Sequence, residues 1–374
     1  MLLTRGTVTP GIEAEARSLL ARGLCWPRLV EQARLHGVSP LLARTLRTLG
    51  GCALPSESSA ELELDARLNA ARNALFVRAL TGVLACFRDA GVPVIPLKGV
   101  ALAESLYGDV TLRDCSDIDV LVPRDAVARA FRALLADGFE PVDDSAIEQA
   151  DIELLLRSSI EHVFVLRSSA APTLLDLHWD IAWRWRGDSA ATDDLWADAR
   201  SQTLFGVEAY TLSPEWEILY LAIHAAHHRW RALKWLVDIH EACSARRVDW
   251  VRLSDKARRL GWEKVLRVTL STCHALFGTP VPDDLSQWAL PRWLRVFPES
   301  PVEAGLWQEA LFATRLFSGI SAKLAYLGRL LFLPTIRERE LVFLPTPMEV
   351  LYYPLRPLRL AGRWITSNSR DHGG

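Results

Sequence analysis

The hydrophobic period changes twice along this chain, and those changes limit what it can fold into. Residues 11–90 place apolar side chains three and four apart, as in "SAELELDARLNAARNALFVRALTGVLACFRDAG", with glycine stops. That spacing is one face of a helix. From residue 92 shorter runs replace it: "VPVIPL", "DIDVLVP", "EHVFVLR" and "TLLDLHWDIAW". Their lengths and alternation suit strands, the last two forming a hairpin across "SSAAP". One amphipathic helix, "RDAVARAFRALLADG", lies among them. Helical spacing returns at "SPEWEILYLAIHAAHHRW", where Ser-Pro and two acidic residues make a helix start. The expected fold class is α+β: a small mixed-sheet core at 91–185, flanked by an N-terminal helical region at 1–90 and a C-terminal one at 186–374.

The 374 residues exceed what one compact core usually holds, so two or three subdomains are expected. Half of the residues are apolar and 24% are charged, an ordinary globular profile. A net charge of −2 gives no support for a bulk nucleic-acid binder. Six cysteines lie scattered without a CxxC pair, which reads as free thiols in a reducing cytoplasm. "MLLTRGTVTPG" lacks the apolar stretch of a signal peptide, and no run of 18 apolar residues predicts a spanning helix. The segment "GRLLFLPTIRERELVFLPTPMEVLYYPLRPLRLAGRW" is read as packing back onto the domain rather than touching a membrane or partner.

The chemistry concentrates in "PLKGVALAESLYGDVTLRDCSDIDVLVP", residues 96–123. Strand alternation sets Asp117, Asp119 and Leu121 on one face and Ile118, Val120 and Val122 on the other. In "TLLDLHWDI", Leu174, Asp176, His178 and Asp180 share a face. If the two strands are neighbours, Asp176 meets Asp117 and Asp119. Clustered carboxylates repel one another unless a cation sits between them. Mg²⁺ takes such oxygen ligands and completes its shell with substrate phosphates. A pair of these ions can polarise both the attacking and the leaving oxygen of a phosphoryl displacement. Gly99 permits a close backbone turn into the next helix, whose first amides can face phosphate. Lys98 and Arg113 add positive charge for a polyphosphate, unless they pair locally with Asp109 and Asp114. Asp180 competes with Asp176 for the metal role on its face.

The segment resembles the nucleotidyltransferase superfamily with the DNA polymerase β-type fold. Within that superfamily the chain resembles a bacterial family of uncharacterised nucleotidyltransferases. The matching motifs are "LKG" at 97–99, Tyr107, Arg113, "DIDVLV" at 117–122, "DLHW" at 176–179, "HAAHH" at 224–228 and "WLVDI" at 235–239. They span roughly residues 60–290. The resemblance implies that Asp117, Asp119 and Asp176 hold catalytic metals, Mg²⁺ with Mn²⁺ as the alternative, and that a nucleoside triphosphate is the donor. The superfamily's commoner Gly-Ser is here Gly99-Val100, which removes a phosphate-binding hydroxyl and leaves that role to Lys98.

His224 and His228 stand one helical turn apart, without the HExxH pattern of a zinc site. They and His178 are read as contacts to nucleotide or acceptor. The expected activity is transfer of a nucleoside monophosphate from a triphosphate to a small-molecule or peptide acceptor, with release of pyrophosphate. Two rivals are a non-catalytic nucleotide-binding scaffold and a toxin-like enzyme acting on tRNA; the acidic net charge disfavours an RNA acceptor. A lysine or arginine filling the space between the carboxylates would defeat the catalytic expectation, as would an Asp176 that turns away.

Overall fold

The computed structural model describes residues 4, 6, 10–50, 54–142, 152–153, 155–156, 161–166, 172–181, 190–287, 306–317, 319–342, 344 and 346–371. The fold is α+β, as the change of period predicts. Helices α1 (Pro10–Ala21), α2 (Trp26–Leu35) and α3 (Ser39–Leu49) lead into a long α4 (Ser56–Asp89). Helix α4 buries Leu62, Asn69, Asn73, Phe76, Leu80, Val83, Leu84 and Phe87, a stripe at intervals of three, four and seven residues. By length and composition alone α4 would suffice to cross a membrane. Here its stripe packs against strand residues Val120, Val122, Leu175 and Leu177.

Five strands form the main sheet: β1 (Ile95–Pro96), β2 (Ile118–Leu121), β3 (Phe139–Pro141), β4 (Glu161–Leu166) and β5 (Thr173–His178). Their order is β1-β2-β5-β4-β3, and β2 and β5 are parallel while the other neighbours are antiparallel. Helix α5 (Gly99–Tyr107) joins β1 to β2, and α6 (Val127–Ala136) joins β2 to β3. The sheet separates two apolar clusters. Ile118, Val120, Leu175, Leu177 and Trp179 face α4 and α6. Leu121, on the opposite face, joins a cluster built from the helices that follow, including Trp216, Ile223 and Leu236. That second face also carries Asp119, Asp176 and His178.

After α7 (Ala190–Asp198) comes a hairpin, β6 (Arg200–Leu204) and β7 (Val207–Thr211). Helical spacing alone does not anticipate it. Its two-residue loop, Phe205-Gly206, has φ of 49° and 81°, positive at both positions as tight hairpin turns require. The Tyr210 amide donates to the Val94 carbonyl at 2.9 Å and so fastens the hairpin beside β1.

Helices α8 (Pro214–His227), α9 (Leu233–Ala245), α10 (Trp250–Arg259) and α11 (Glu263–Phe277) build the second cluster. Ser213 caps α8 by accepting from the Trp216 amide at 3.4 Å, with Pro214 at the first helical position. The remaining helices are α12 (Asp283–Ser286), α13 (Leu306–Leu316), α14 (Ile320–Phe332), α15 (Ile336–Leu341) and α16 (Tyr352–Asp371). Tyr326 and Leu330 of α14 join the second cluster. Arg356 of α16 donates to the Leu330 carbonyl at 3.0 Å and lies 3.4 Å from Glu338, so the last helices fold back on each other.

Candidate active site

The site begins where β1 runs out. The Leu97 amide donates to the Asp119 carbonyl at 3.0 Å, holding the chain beside β2 up to Lys98. Gly99 then turns with φ of +66°, and a Cβ there would come within 3.3 Å of the Asp117 carbonyl oxygen. Glycine meets both demands without strain. The turn starts α5 and leaves Lys98 immediately before it.

Lys98 reaches Asp119: its Nζ lies 2.8 Å from Oδ1, and both side chains are almost fully buried. Asp119 pairs in register with Asp176 across the parallel β2–β5 contact. His178, two residues along β5, shares the face, and its Nε2 lies 3.1 Å from the same Oδ1. One ligand atom from each of Asp119, Asp176 and His178 falls within 4.8 Å of the others. Asp119 Oδ2 is buried and has no hydrogen-bond partner. Leaving a buried acceptor in that state costs about 1–3 kcal/mol. A second buried oxygen of Asp119, with the Asp176 carboxylate in the same cluster, fits a hard divalent cation.

Charge in the cluster is fixed by its neighbours. Burial alone would raise the Asp119 pKa. The Lys98 charge and the hydrogen bond with His178 overcome burial and hold it below the usual carboxylate range. Burial likewise works to lower Lys98, but Asp119, then Asp117, outweigh it and the ammonium is held more firmly than usual. Lys98 therefore does approach the carboxylates, the arrangement that would count against a metal site. It takes one oxygen of Asp119, and Oδ2 has no hydrogen-bond partner.

Asp117 precedes β2, half-buried, with Oδ1 accepting from Ser116 Oγ at 3.1 Å. It is not one of the three clustered donors. Asp180 lies beyond the end of β5, and its Oδ1 accepts from the Ile181 amide at 2.7 Å.

Arg113 sits in a different network. Its Nε donates to Asp238 Oδ2 at 2.9 Å, and Tyr107 donates to Asp238 Oδ1 at 2.8 Å. The Arg113 carbonyl accepts from Asn73 at 2.8 Å and Asn69 at 3.2 Å, both on α4. One residue thus ties α4, the approach to β2 and helix α9 together. Burial opposes the Arg113 charge, yet Asp238 more than compensates and its pKa rises. The nearer acids are otherwise engaged: Asp109 caps the Thr111 amide at 2.8 Å, and Asp114 pairs with Arg72 and, at 3.5 Å, Lys234. Sequence reasoning noted Asp238, with His240, as a faint metal-site feature and missed its pairing with Arg113, which lies 125 positions away. The signal available was an acid on the buried side of "WLVDI".

His224 lies on the last turn of α8 and His228 caps its C-terminal end, with ring centroids 4.7 Å apart. His228 stacks on Trp235 at 4.7 Å and 22°, and His224 meets Trp235 edge-on at 5.6 Å. Burial, then nearby positive groups including Lys98, pushes His224 well below the ordinary imidazole range. Burial, then His227 and Lys98, pushes His228 down to about 3. Both rings are neutral near pH 7, and the Lys98 charge is among the groups that hold each one so.

The chain leaves α8 under strain. Arg229 and Trp230 have φ of 58° and 52°. The amides of Arg229 and Trp230 close the helix on the Ala226 and Ala225 carbonyls. The same closure follows α2, α4 and α10, where the left-handed position holds Gly37, Gly91 and Gly261. Non-glycine residues kept there cost about 1–3 kcal/mol and tend to mark functional sites. Trp230 is anchored by full burial and a 2.8 Å bond from Nε1 to Thr269 Oγ1.

A comparison with curated proteins gives no match. A solved structure, of an antigenic nucleotidyltransferase-like protein from Paracoccidioides brasiliensis, aligns with 54% of this chain and 96% of its own at 13% identity and a TM-score of 0.33, too slight a likeness to carry an argument. Residues 23–278, more than half of the chain, match the family described as uncharacterised nucleotidyltransferase. That span includes β2, β5, Lys98 and the His224–His228 pair, and the chain belongs to the uncharacterised nucleotidyltransferase family.

Proposed function

We propose that this protein is a Mg²⁺-dependent nucleotidyltransferase, with Mn²⁺ as a substitute ion, that moves a nucleoside monophosphate from a nucleoside triphosphate to a small-molecule or peptide acceptor. One observation carries the proposal. Asp119 and Asp176 are register partners on adjacent parallel strands, and a buried Asp119 oxygen has no hydrogen-bond partner. Asp119 and Asp176 would hold the cation, with Asp117 at the mouth of the same strand as a further ligand. A divalent cation bound there supplies charge that stabilises the phosphate oxygens as the displacement proceeds.

The chain's own groups do the rest. The acceptor oxygen bonds to the α-phosphorus, the bond from that phosphorus to the β-phosphate bridging oxygen breaks, and the electron pair leaves with pyrophosphate. Asp176, less buried than Asp119, takes the acceptor proton. Lys98 and the first amides of α5 after Gly99 receive the triphosphate. Arg113, already neutralised by Asp238, contributes less to the phosphates and holds that wall of the site in place. His178 keeps Asp119 oriented. The neutral rings of His224 and His228, backed by Trp235, offer a flat surface to the base or the acceptor.

The superfamily placement, a bacterial origin and cytoplasmic residence belong to the same proposal. Free thiols at Cys25, Cys86, Cys115, Cys243 and Cys273 support the compartment. A net charge of −2 favours a small or peptide acceptor over RNA. The Lys98–Asp119 contact is the one feature that favours a second reading, nucleotide binding without turnover.

The test is incubation with each α-labelled triphosphate, Mg²⁺ and panels of small molecules, peptides and total tRNA, with pyrophosphate followed in parallel. Transfer that falls about 10²–10³-fold in Asp119→Asn is the expected result. Unchanged transfer in that variant contradicts the proposal. Tight nucleotide binding with no pyrophosphate released selects the second reading, and label on tRNA moves the acceptor to RNA.

A further inference from the structure

We infer that Lys98 is the counter-ion of the metal position: it holds Asp119 in the metal-free protein and passes to the triphosphate when the divalent cation arrives, so that metal and nucleotide bind as a coupled pair. This rests on the function proposed above and adds an order of events to it.

The geometry of Asp119 is the first ground. Lys98 and His178 both crowd Oδ1, at 2.8 and 3.1 Å, while buried Oδ2 has no partner. A carboxylate built for permanent structural pairing uses both oxygens. Asp238 does so, with Arg113 on one and Tyr107 on the other. Asp119 instead keeps one oxygen in reserve.

The second ground is what surrounds Lys98. A divalent cation on Asp119 would sit close to the ammonium and repel it strongly in this buried setting. Lys98 has a flexible four-carbon stem, so Nζ can move without disturbing the Gly99 turn. It cannot settle on positive or neutral neighbours. Arg113 is a cation paired with Asp238, and His224 and His228 are held neutral. Asp117 is a further carboxylate that acts on it. A triphosphate brings the missing negative charge to the same end of α5. Each ligand then removes an obstacle to the other, and the coupling is reciprocal.

Binding of Mn²⁺ alone, read by calorimetry and by the spin-resonance signal of free Mn²⁺, tests this without reference to activity. Lys98→Met, which keeps the stem and removes the charge, should bind Mn²⁺ about tenfold tighter than the wild type, within the usual span of site–site coupling. A non-hydrolysable triphosphate analogue should tighten Mn²⁺ binding to the wild type by a similar factor and to Lys98→Met by little. Lys98→Arg, which keeps the charge and guards against a misfolded methionine variant, should bind Mn²⁺ no tighter than the wild type. Equal Mn²⁺ affinity in wild type and Lys98→Met overturns the exchange while leaving the metal site standing, as does tighter binding by Lys98→Arg. An Asp119→Asn protein with wild-type Mn²⁺ affinity removes the metal site itself and overturns both proposals.

Discussion

Asp119 and Asp238 are both buried carboxylates facing a buried cation, yet they are finished differently. Asp238 has a donor on each oxygen, Arg113 and Tyr107. Asp119 has two partners on one oxygen and none on the other. A complete network stabilises and specifies; an incomplete one is a standing cost that a protein retains where something else must bind. The contrast separates a joint from a site within one small core.

Mutations can break or sharpen that contrast. The largest effect belongs to the joint. Asp238→Ala strands a buried guanidinium and should cost about 3–5 kcal/mol in denaturant unfolding. Next is Asp119→Asn, which should lower nucleotide transfer by about 10²–10³-fold, equivalent to about 2.7–4 kcal/mol of transition-state stabilisation. Its unfolding free energy should change far less than that of Asp238→Ala. Equal losses of stability in the two variants would erase the distinction. Gly99→Ala should cost about 1–2 kcal/mol, because alanine must adopt a left-handed backbone beside the Asp117 carbonyl, and should weaken triphosphate binding with it.

The most gradual effect is a pH dependence. The folded pKa of His228 is depressed to about 3, against about 6.5 in an unfolded chain. Below pH 6.5 the unfolded chain takes up the proton and the folded chain does not. Stability should therefore fall as pH drops from about 6.5 toward 3, by about 1 kcal/mol over the first unit. His228→Phe keeps a ring over Trp235 and should make that decline shallower in acid unfolding curves, with His224, depressed in the same sense, supplying the remainder. An identical decline in the variant would assign the pH dependence elsewhere.

The alternation of "DIDVLV" and "TLLDLHWDI" was enough to order the faces of β2 and β5, because a pleat leaves no freedom in which side chains share a face. The period change likewise marked the α+β class. Two kinds of feature stayed hidden. The Arg113–Asp238 pair joins residues far apart in the chain, and local spacing carries no trace of it. The Arg229–Trp230 turn breaks the glycine rule on which helix ends are read, since burial of Trp230 against Thr269 holds a conformation that the residue types disfavour. The β6–β7 hairpin was obscured by its turn, Phe205-Gly206, which lacks the usual Asn-Gly or Asp-Gly signature.

The most direct test of the central claim is a crystal of the protein grown with Mn²⁺ and a non-hydrolysable triphosphate, with the metal located by its anomalous signal. The account predicts a peak about 2.1 Å from oxygens of Asp119 and Asp176, with Lys98 withdrawn from Asp119 to the phosphates. A phosphate-bound nucleotide with no metal at Asp119, and Lys98 still seated on Oδ1, would contradict it.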